Sequence, residues 1–345
     1  ARQGREGVAR AGDTARLEPV PEFNLIKRIE QAFERHGMTA GDGCVLGIGD
    51  DAAVLDVPGE RQLAVCTDTL VSGVHFHENA SARSVGHKSL AVNLSDLAAM
   101  GAEPAWFLLA LTLPADDTDW IDAFAAGMAE LAGSTGIMLV GGDTTAGPLS
   151  VTVTAAGWVP GGKAMTRAGA CTGDQVYVSG VTGEAAMALR VLEAGGSVPA
   201  ECQAALDFPR PRLSLGSALR GVASACIDVS DGLAADLGHI LDCSGVGADL
   251  VVDWLPGSDC FDALTEEARW ALQLTGGDDY ELCFTVPPGR AERLDGLKSR
   301  HGVPLTHIGT IRRESGLSIR RADGERVTLA SPGYEHFNAS AESSR

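Results

Sequence analysis

Apolar residues recur at two different spacings along this chain, and the spacing predicts which segments are helices. In residues 22–36 they fall close to every third or fourth position, which is typical of an amphipathic helix, and Gly37 follows as a stop. The same spacing predicts further helices at residues 84–101, 116–133, 183–192, 213–224, 233–243, 266–273 and 291–301. Helices are therefore expected in both halves of the chain.

Short runs of β-branched and other apolar residues lie between these helices, bounded by glycine, aspartate or proline, and predict strands. They span residues 45–48, 54–57, 63–67, 106–113, 137–140, 150–159, 175–179, 226–229, 248–252 and 281–286. Shorter strands are expected as far as residue 329. Because strands and helices alternate, the predicted fold class is α/β.

The length of 345 residues favours two domains, since a domain typically holds about 100 to 150 residues. Pro160-Gly161-Gly162 is the best candidate for a linker between them. We therefore predict a leader at residues 1–20, an N-terminal domain at 21–160, a C-terminal domain at 161–338 and a tail at 339–345. The leader contains arginines but no apolar core, so we expect it to be disordered and not a secretory signal.

Acidic residues recur directly after the apolar runs, which place Asp68 at a strand edge or turn and Asp143 in a glycine loop. The groups are Asp50-Asp51, Thr67-Asp68, Asn93-Leu94-Ser95-Asp96, Gly142-Asp143 and Asp228-Val229-Ser230-Asp231. Two carboxylates about 4 Å apart repel by roughly 4 kcal/mol at an effective dielectric constant of 20, so converging carboxylates need a cation between them. Mg²⁺ suits this arrangement, because it takes one or two carboxylates per ion and completes its shell with water and substrate phosphates.

Each acidic group taken alone also has an ordinary structural explanation. Asp-Gly and Asp-Asp pairs are common in turns, and Ser230 or Asp231 could cap the helix predicted at residues 233–243. For a single group the two explanations have about equal weight, because short motifs often match by chance. The recurrence of the groups favours a metal site.

The composition argues against several classes of binding partner. A formal net charge of −19 opposes binding to nucleic acid or to an acidic membrane, because such binding depends on Lys and Arg. Most of this charge is expected on a solvated surface. The most apolar run, residues 106–113, is far too short to span a bilayer, which needs about 20 residues. The eight cysteines form no Cys-x-x-Cys pair and have no histidine at zinc spacing, so we expect reduced cysteines in a cytoplasmic protein.

Several familiar catalytic motifs are absent from the sequence. Gly161-Gly162-Lys163-Ala164 lacks the glycine spacing and the hydroxyl residue of a P-loop, and no Gly-x-Gly-x-x-Gly follows a predicted strand. A calcium loop at Asp228 is excluded because His239 stands where a bidentate glutamate is needed. Neither Gly-x-Ser-x-Gly nor His-Glu-x-x-His is present. The acidic loops, the glycine-rich backbone and Arg167 together indicate metal-assisted phosphoryl transfer.

Seven motifs in order carry a resemblance to a known family. They are Glu22-Phe23-Asn24-Leu25-Ile26, Gly47-Ile48-Gly49-Asp50-Asp51, Thr67-Asp68-Thr69-Leu70-Val71, Ala91-Val92-Asn93-Leu94-Ser95-Asp96-Leu97-Ala98-Ala99-Met100-Gly101, Gly141-Gly142-Asp143-Thr144-Thr145, Ile227-Asp228-Val229-Ser230-Asp231-Gly232 and Asp279-Tyr280-Glu281-Leu282. From about residue 22 to residue 337, the sequence closely resembles the thiamine-monophosphate kinase family. Its superfamily also contains aminoimidazole-ribonucleotide synthetase, selenophosphate synthetase and a hydrogenase maturation factor.

The resemblance implies an α/β (α+β), two-domain PurM-like architecture, in which an N-terminal mixed sheet with helices forms a homodimer and a C-terminal α/β domain follows. It implies an ATP-dependent kinase that makes thiamine diphosphate from thiamine monophosphate by direct in-line transfer, with several Mg²⁺ ions and ATP as co-substrate. ATP is expected in a cleft between the domains, near the dimer interface. The acceptor phosphate is already largely deprotonated at neutral pH, so no catalytic base is required, and none is found.

The resemblance also implies roles for individual positions. Metal ligands would be Asp51, Cys66, Thr67, Asp68, Asp96, Asp143, Asp228 and Asp231. ATP would contact Gly142, Asp143, Arg167 and Ser230, and thiamine monophosphate would contact His75, Asp278 and Tyr334. Cys66 stands where the family commonly has serine, and Asp278 where glutamate is usual. A thiol is a poor Mg²⁺ ligand, so position 66 either acts through its main-chain carbonyl or binds one ion more weakly.

Two other functions stay open. A related phosphotransferase could act on a purine precursor or on selenide, although the sequence has no reactive N-terminal cysteine for selenide and no cysteine tail like that of the maturation factor. A catalytically silent protein that binds ATP or a thiamine phosphate is the other, and only Cys66 and Asp278 favour it. ADP release that depends on thiamine monophosphate would separate an enzyme from a binding protein.

Overall fold

The structure is a computed structural model that describes residues 22–36, 44–46, 54–55 and 57–329. In this part of the chain the helices are α1 (Glu22–Arg35), α2 (Ala82–Ala99), α3 (Thr118–Thr135), α4 (Glu184–Glu193), α5 (Ala200–Asp207), α6 (Leu213–Leu219), α7 (Leu233–Ser244), α8 (Glu266–Thr275) and α9 (Arg293–His301). The strands are β1 (Cys44–Leu46), β2 (Val54–Leu55), β3 (Arg61–Val71), β4 (Glu103–Leu113), β5 (Met138–Ala146), β6 (Ser150–Pro160), β7 (Gln175–Ser179), β8 (Ala225–Asp228), β9 (Gly247–Val251), β10 (Leu282–Val286), β11 (Leu305–Arg312) and β12 (Gly316–Arg320). None of these helices is long and apolar enough to cross a bilayer.

A four-stranded sheet forms the first half, in the order β3-β6-β4-β5. Strand β6 is antiparallel to both β3 and β4, whereas β4 and β5 are parallel. Because side chains alternate across a strand, one face supplies a core with α2 and α3 that includes Phe107, Leu111 and Phe124. On the opposite face Leu63, Val65 and Leu108 are exposed. The sheet is therefore covered on one side only in the described chain.

Helix α2 lies at the centre of the molecule and is buried on almost every side. It begins after Ser81, whose side chain accepts a hydrogen bond from the backbone N–H of Ser84. The helix packs on β3 and β6 and also contacts α3, α6 and β8. A helix surrounded by protein needs no polar face, yet Lys88, Asn93 and Ser95 are buried within it. Helix α2 thus connects the two halves and brings polar groups into the space between them.

The second half is built on a six-stranded sheet in the order β12-β9-β11-β7-β10-β8. Its strand pairs are antiparallel, except that β12 and β9 are parallel. One core, with α7 and α8, includes Val178, Ile240 and Leu250. A second core, with α6 and α9, includes Phe284 and reaches Ala98 of α2. The sheet is therefore anchored to the central helix.

The α/β fold class is confirmed, and most predicted elements occur within a few residues of their expected ends. Strand β7 has the predicted bounds, whereas α5 is missing from the prediction. Strand β3 continues through Asp68, and β5 continues through Gly142 and Asp143. The prediction of a glycine loop at Asp143 is therefore wrong, and Asp68, which was predicted at a strand edge or turn, lies within β3. Backbone pairing with the neighbouring strands continues past the last apolar residue, so the end of the apolar run does not mark the end of the strand.

The expectation of reduced cysteines is wrong for one pair. Cys202 of α5 and Cys260 of a one-turn helix form a disulfide, with their Cα atoms 6.1 Å apart. They are 58 residues apart in sequence, so their spacing gave no sign of the pairing. The remaining cysteines of the described chain whose thiols are free are Cys66, Cys171, Cys226, Cys243 and Cys283.

Candidate active site

A cavity of about 510 Å³ lies between the two halves of the chain. Its walls come from β3, α2, α4, α7, β8 and the loops that follow β3, β6, β8 and α8. The residues with predicted roles that line it are Thr67, Asp68, His75, Asp96, Arg167, Asp228, Ser230, Asp231 and Asp278. The structure therefore brings together residues that are far apart in sequence, while their individual roles stay predictions.

Strand β3 and helix α2 place the first two carboxylates. Even-numbered positions from 64 to 70 in β3 are more buried than odd-numbered ones, as alternation in a half-covered strand requires. Asp68 is on the buried side and reaches the cavity, which Asp96 of α2 also lines. Thr67 is on the opposite side, where its Oγ1 lies 3.1 Å from the carbonyl oxygen of Val153 and 3.0 Å from the hydroxyl of Thr154. Thr67 and Asp68 thus project from opposite faces of the strand.

The thiol of Cys66 is held by backbone groups instead of lining the cavity. Its Sγ donates to the carbonyl oxygen of Asn93 at 3.3 Å and lies 3.8 Å from that of Ala155. Burial, together with the charges of Asp96 and Asp68, raises the pKa of this thiol far above its usual value, so it stays protonated. A metal ligand must be the thiolate. The side chain of Cys66 does not line the cavity, and its metal role stays a prediction.

One buried carboxylate, that of Asp236, shapes the loop that follows β8. Its Oδ2 accepts hydrogen bonds from the backbone N–H groups of Ser230, Asp231 and Gly232 at 3.0, 3.1 and 3.2 Å. Burial, followed by the charges of Asp228 and Asp231, raises the pKa of Asp236 to about 7. The N-cap of α7 is Gly232, and no side chain caps it. The alternative that Ser230 or Asp231 is a plain helix cap is therefore wrong.

A second loop, residues 276–281, pairs with the first. The backbone N–H of Asp278 donates to the carbonyl of Ser230 at 2.9 Å, and that of Tyr280 donates to Val229 at 2.8 Å. A Cβ on Gly277 would lie 2.4 Å from the carbonyl oxygen of Ser230, so this close approach requires glycine. Asp278 and Tyr280 have φ angles of 70° and 52°, a region that is costly for residues other than glycine. The chain therefore keeps a strained turn beside the cavity.

The neighbouring acidic residues of this second loop have structural roles. Both carboxylate oxygens of Asp279 accept from the backbone N–H of Gly183, at 2.8 and 2.9 Å, where α4 begins. Glu281 accepts from Nε of Arg212 at 2.7 Å and also binds the hydroxyl of Ser179. Of these three acidic residues, Asp278 alone lines the cavity. The sequence pattern did not distinguish them, because the difference depends on the strained turn.

The cavity is strongly acidic. Burial, followed by the charges of Asp228 and Asp68, raises the pKa of Asp96 to about 8. Burial raises the pKa of Asp228 to about 6, and the charge of Asp68 adds to the rise. Burial and the charge of Asp231 raise the pKa of Asp68 as well. Arg167 is the opposing charge, since it lowers the pKa of Asp96 and of Asp228.

The donor set fits magnesium ions that are shared with a phosphate ligand. In the part of the chain that the structure describes, no three His, Cys, Asp or Glu side chains are already gathered into a metal site. The cavity instead presents separate carboxylates, those of Asp68, Asp96, Asp228 and Asp231. Mg²⁺ takes one or two carboxylates per ion and fills its other positions with water and phosphate oxygens. Spread carboxylates around an open cavity match that preference better than a closed cage would.

Gly142 and Asp143 do not line this cavity. They belong to β5, at the opposite edge of the sheet from β3. Asp143 pairs with Ala110, Ala110 with Thr152, and Thr152 with Thr69, which does line the cavity. Three strand spacings, or about 14 Å, therefore separate Asp143 from Thr69 across the sheet. Within one chain, the predicted ATP contacts on β5 are distant from the carboxylate cluster.

Gly142 has a structural explanation of its own. A Cβ at this position would lie 1.8 Å from the carbonyl oxygen of Leu109 on the neighbouring strand. The pairing of β4 with β5 also shifts register a few residues earlier in both strands. Glycine is therefore required here by the contact between the strands, whatever it binds.

His75 lies in the loop after β3, and its ring orientation is fixed. The backbone N–H of Val71 donates to its Nδ1 at 3.0 Å. In its neutral form the imidazole then carries its proton on Nε2. The other predicted residues, Asp51 and Tyr334, lie outside the described residues.

Comparison with known proteins identifies the family to which this chain belongs. The family model described as AIR synthase related protein, N-terminal domain, matches residues 49–159. The thiamine-monophosphate kinase of Salmonella typhimurium is 46% identical over 325 residues, which cover 92% of this chain and 98% of that protein. The chain belongs to the thiamine-monophosphate kinase family.

Solved structures of thiamine-monophosphate kinases share the fold. That of the Stenotrophomonas maltophilia K279a enzyme aligns with a TM-score of 0.81 at 46% identity, covering 89% of this chain and 98% of that one. The complex of AaThiL with AMPPCP and TMP aligns with a TM-score of 0.72 at 28% identity, covering 94% of this chain and 100% of that one. The predicted α/β, PurM-like fold is thereby confirmed, while the homodimer stays a prediction.

Proposed function

We propose that this protein transfers the γ-phosphoryl group of ATP to thiamine monophosphate, forming thiamine diphosphate and ADP. The observation that carries the proposal is the cavity that Asp68, Asp96, Asp228 and Asp231 line together with Arg167. Such a set of charges suits a polyphosphate and its cations. The acceptor is supported by 46% identity with a thiamine-monophosphate kinase over most of the chain. It is further supported by the complex of the related AaThiL with AMPPCP and TMP.

The residues around the cavity divide into two sets of contacts. Arg167 can form a two-pronged contact with phosphate oxygens of ATP. Ser230, the other ATP contact at this cavity, lies on the same loop as Asp231. His75 lines the cavity on the acceptor side, and Asp278 can accept a hydrogen bond from the thiamine moiety. These contacts would place the two substrates against each other across one cavity.

Asp68, Asp96, Asp228 and Asp231 would hold several Mg²⁺ ions. Bound there, the ions would neutralise phosphate charge and align the transferring group with the acceptor. Burial and then the charges of Asp228 and Asp68 raise the pKa of Asp96, so a cation shared among these carboxylates would stabilise their ionised forms.

The protein's part in the reaction is to bind and orient, since no proton has to be removed. The second ionisation of a phosphate monoester lies near pH 6, so the acceptor oxygen is already charged at neutral pH. That oxygen forms a bond to the γ-phosphorus as the bond to the β,γ-bridging oxygen breaks, and ADP leaves with the electron pair. Catalysis then depends on alignment and charge neutralisation.

The test is ADP release measured beside formation of thiamine diphosphate. We expect ADP release to require both thiamine monophosphate and Mg²⁺, and to stop when EDTA is added. Asp68→Asn should lower kcat/KM by at least about 100-fold, because it removes one charged group from the site. Asp242→Asn, an exposed aspartate on α7, is the matched control. A near-normal rate in Asp68→Asn would contradict the proposal.

A panel of acceptors separates the remaining alternatives. ADP release with a purine precursor or selenide, and none with thiamine monophosphate, would identify a related phosphotransferase. Binding of ATP and thiamine monophosphate without any ADP release would identify a catalytically silent protein. Either result would replace the proposed function.

We also infer that the protein is a homodimer that associates through the open face of the four-stranded sheet. Leu63, Val65 and Leu108 are 42%, 55% and 37% exposed there, and apolar side chains gathered on one face indicate a contact with protein. Val65→Glu should reduce the mass measured by light scattering from two chains to one. Leu192→Glu, which changes an exposed leucine on α4, should leave the mass unchanged. A dimeric Val65→Glu protein would contradict this interface.

A cytoplasmic location is likewise inferred, as is the absence of nucleic acid and membrane among the partners. The net charge of −19 supports the second inference, because it opposes association with polyanions. Fractionation of cells that express the protein would test the first.

A further inference from the structure

A buried lysine, Lys88 of α2, lies behind the wall of the cavity, with its side chain only 4% exposed. Lysine is almost never fully buried unless its charge is paired. Its Nζ is 2.7 Å from Oδ2 of Asp278 and 3.4 Å from the carbonyl oxygen of His75. One ammonium group therefore connects two segments that are far apart in sequence. Both segments carry predicted contacts to the acceptor substrate.

The carboxylate of Asp278 is held at both oxygens. Lys88 binds Oδ2, and the hydroxyl of Tyr280 donates to Oδ1 at 2.8 Å. Tyr280 is itself buried, with 7% of its surface exposed, and it stays a neutral donor. The side chain of Asp278 remains 29% exposed and lines the cavity. An ionised carboxylate has about four lone-pair positions, so after these two contacts it can still accept from a ligand.

The backbone around Asp278 is strained, and this strain also indicates that the position of the Asp278 carboxylate is fixed. Asp278 and Tyr280 both have positive φ, which is rare for a bulky residue such as Tyr280. Such conformations persist where the surroundings impose them, and they concentrate at functional sites. Here the surroundings are the backbone bonds to Val229 and Ser230 and the buried pair with Lys88. The outcome is a carboxylate with a fixed position at the cavity wall.

We propose that Lys88 is a positioning residue for the acceptor substrate. By binding Asp278 and the carbonyl of His75 together, it sets the distance between the two groups that receive the thiamine moiety. It also balances the charge of Asp278, which therefore acts as a hydrogen-bond acceptor within a neutral pair. This inference rests on the proposed function, and it concerns only the acceptor side of the cavity. Lys88 itself does not line the cavity, so it acts through its two partners.

The test compares the binding of the two substrates in the same variant. Dissociation constants for thiamine monophosphate and for ADP are measured separately by calorimetry on wild type, Lys88→Met and Lys298→Met. Lys298 is an exposed lysine on α9 and provides the matched control. We expect Lys88→Met to weaken the binding of thiamine monophosphate at least tenfold and the binding of ADP less than twofold. Lys298→Met should bind both ligands as the wild type does. Unchanged binding of thiamine monophosphate, or equal loss of both ligands, would overturn the proposal.

A second variant keeps the test valid if Lys88→Met does not fold. Lys88→Gln keeps a hydrogen-bond donor at the buried position but removes the charge, and the same two outcomes apply to it. In the double variant with Asp278→Asn, the loss of thiamine monophosphate binding should be smaller than the sum of the two single losses, because Lys88 acts partly through Asp278. Fully additive losses of binding would show that Lys88 does not act through Asp278.

Failure of the inference can be distinguished from failure of the proposed function. If the wild-type protein does not release ADP in response to thiamine monophosphate, the proposed function is wrong. If it does, and Lys88→Met and Lys88→Gln bind thiamine monophosphate normally, only the role of Lys88 is wrong.

Discussion

The two walls of the cavity are built in different ways. One wall uses regular structure, in which Asp68 is placed by the alternation of β3 and Asp96 by its position on α2. The other wall consists of the loops at residues 228–232 and 276–281, which are held by buried side chains, above all those of Asp236 and Lys88. Backbone hydrogen bonds fix the first wall without help from its functional side chains. In the second wall, side chains shape the loops that carry the site.

The largest expected effect follows from changing a carboxylate of the regular wall. Asp96→Asn should lower kcat/KM by at least about 100-fold, because it removes one charge from the cavity. Its stability without Mg²⁺ should rise, since burial and the charges of Asp228 and Asp68 disfavour the ionised form. Urea unfolding and steady-state kinetics on the same preparation measure both quantities. Lower stability together with retained activity would show that Asp96 is structural, with Asp242→Asn as the reference.

A change in the wall formed by the two loops should lower the activity and the stability of the protein together. Asp236→Ala removes the acceptor of three backbone N–H groups and should lower the free energy of unfolding by about 3 kcal/mol. Activity should fall as well, because Ser230 and Asp231 lose the positions that the loop gives them. Asp236→Asn keeps one acceptor oxygen and should show a smaller loss of both. Full activity in a destabilised Asp236→Ala protein would mean that the loop does not position the site.

A third substitution tests whether Gly142, which lies outside both walls, is required by the packing of the neighbouring strands. Gly142→Ala puts a Cβ 1.8 Å from a backbone oxygen of β4 and should lower the free energy of unfolding by about 1–3 kcal/mol. Gly238→Ala is the matched control, because no atom lies within 4 Å of its added Cβ in α7. The control should be neutral or stabilise the helix by up to about 1 kcal/mol. Equal stability of the two variants would leave ligand binding as the reason for Gly142.

The same contrast explains which features the sequence could predict. Asp68 and Asp96 both belong to the recurrent acidic groups of the sequence, and both reach the cavity, although Asp68 does so from within β3. The strand bounds were less accurate, because β3 and β5 continue through polar residues whose backbones still pair. The domain boundary near residue 160 stays a prediction; β6 ends at Pro160 and β7 begins at Gln175.

The second wall was mostly beyond sequence reasoning. Lys88 and Asp236 have no motif of their own, and their importance depends on burial beside chain segments that the fold brings to them. An acidic residue four positions after Gly232 was the one available sign of Asp236. Asp278 was recognised only through the family resemblance, since Asp279 and Glu281 beside it are equally acidic. Three-dimensional contacts decide which of these carboxylates faces the cavity.

The smallest expected effect concerns His87, which lies on α2 away from both walls. Its Nε2 is 2.9 Å from the carbonyl oxygen of Pro209, and burial lowers the pKa of its imidazole below the usual value of 6.5. The unfolded chain then takes up this proton at a higher pH than the folded protein. The contribution of His87 to stability should therefore fall as the pH drops through about 6.5, and this loss should stop below the lower folded pKa. His87→Gln should reduce this dependence in urea unfolding at several pH values, whereas His239→Gln, at an exposed position of α7, should retain it. If His87→Gln kept the full dependence, the proton would be taken up elsewhere, and α2 would contribute to the first wall without any titrating group behind it.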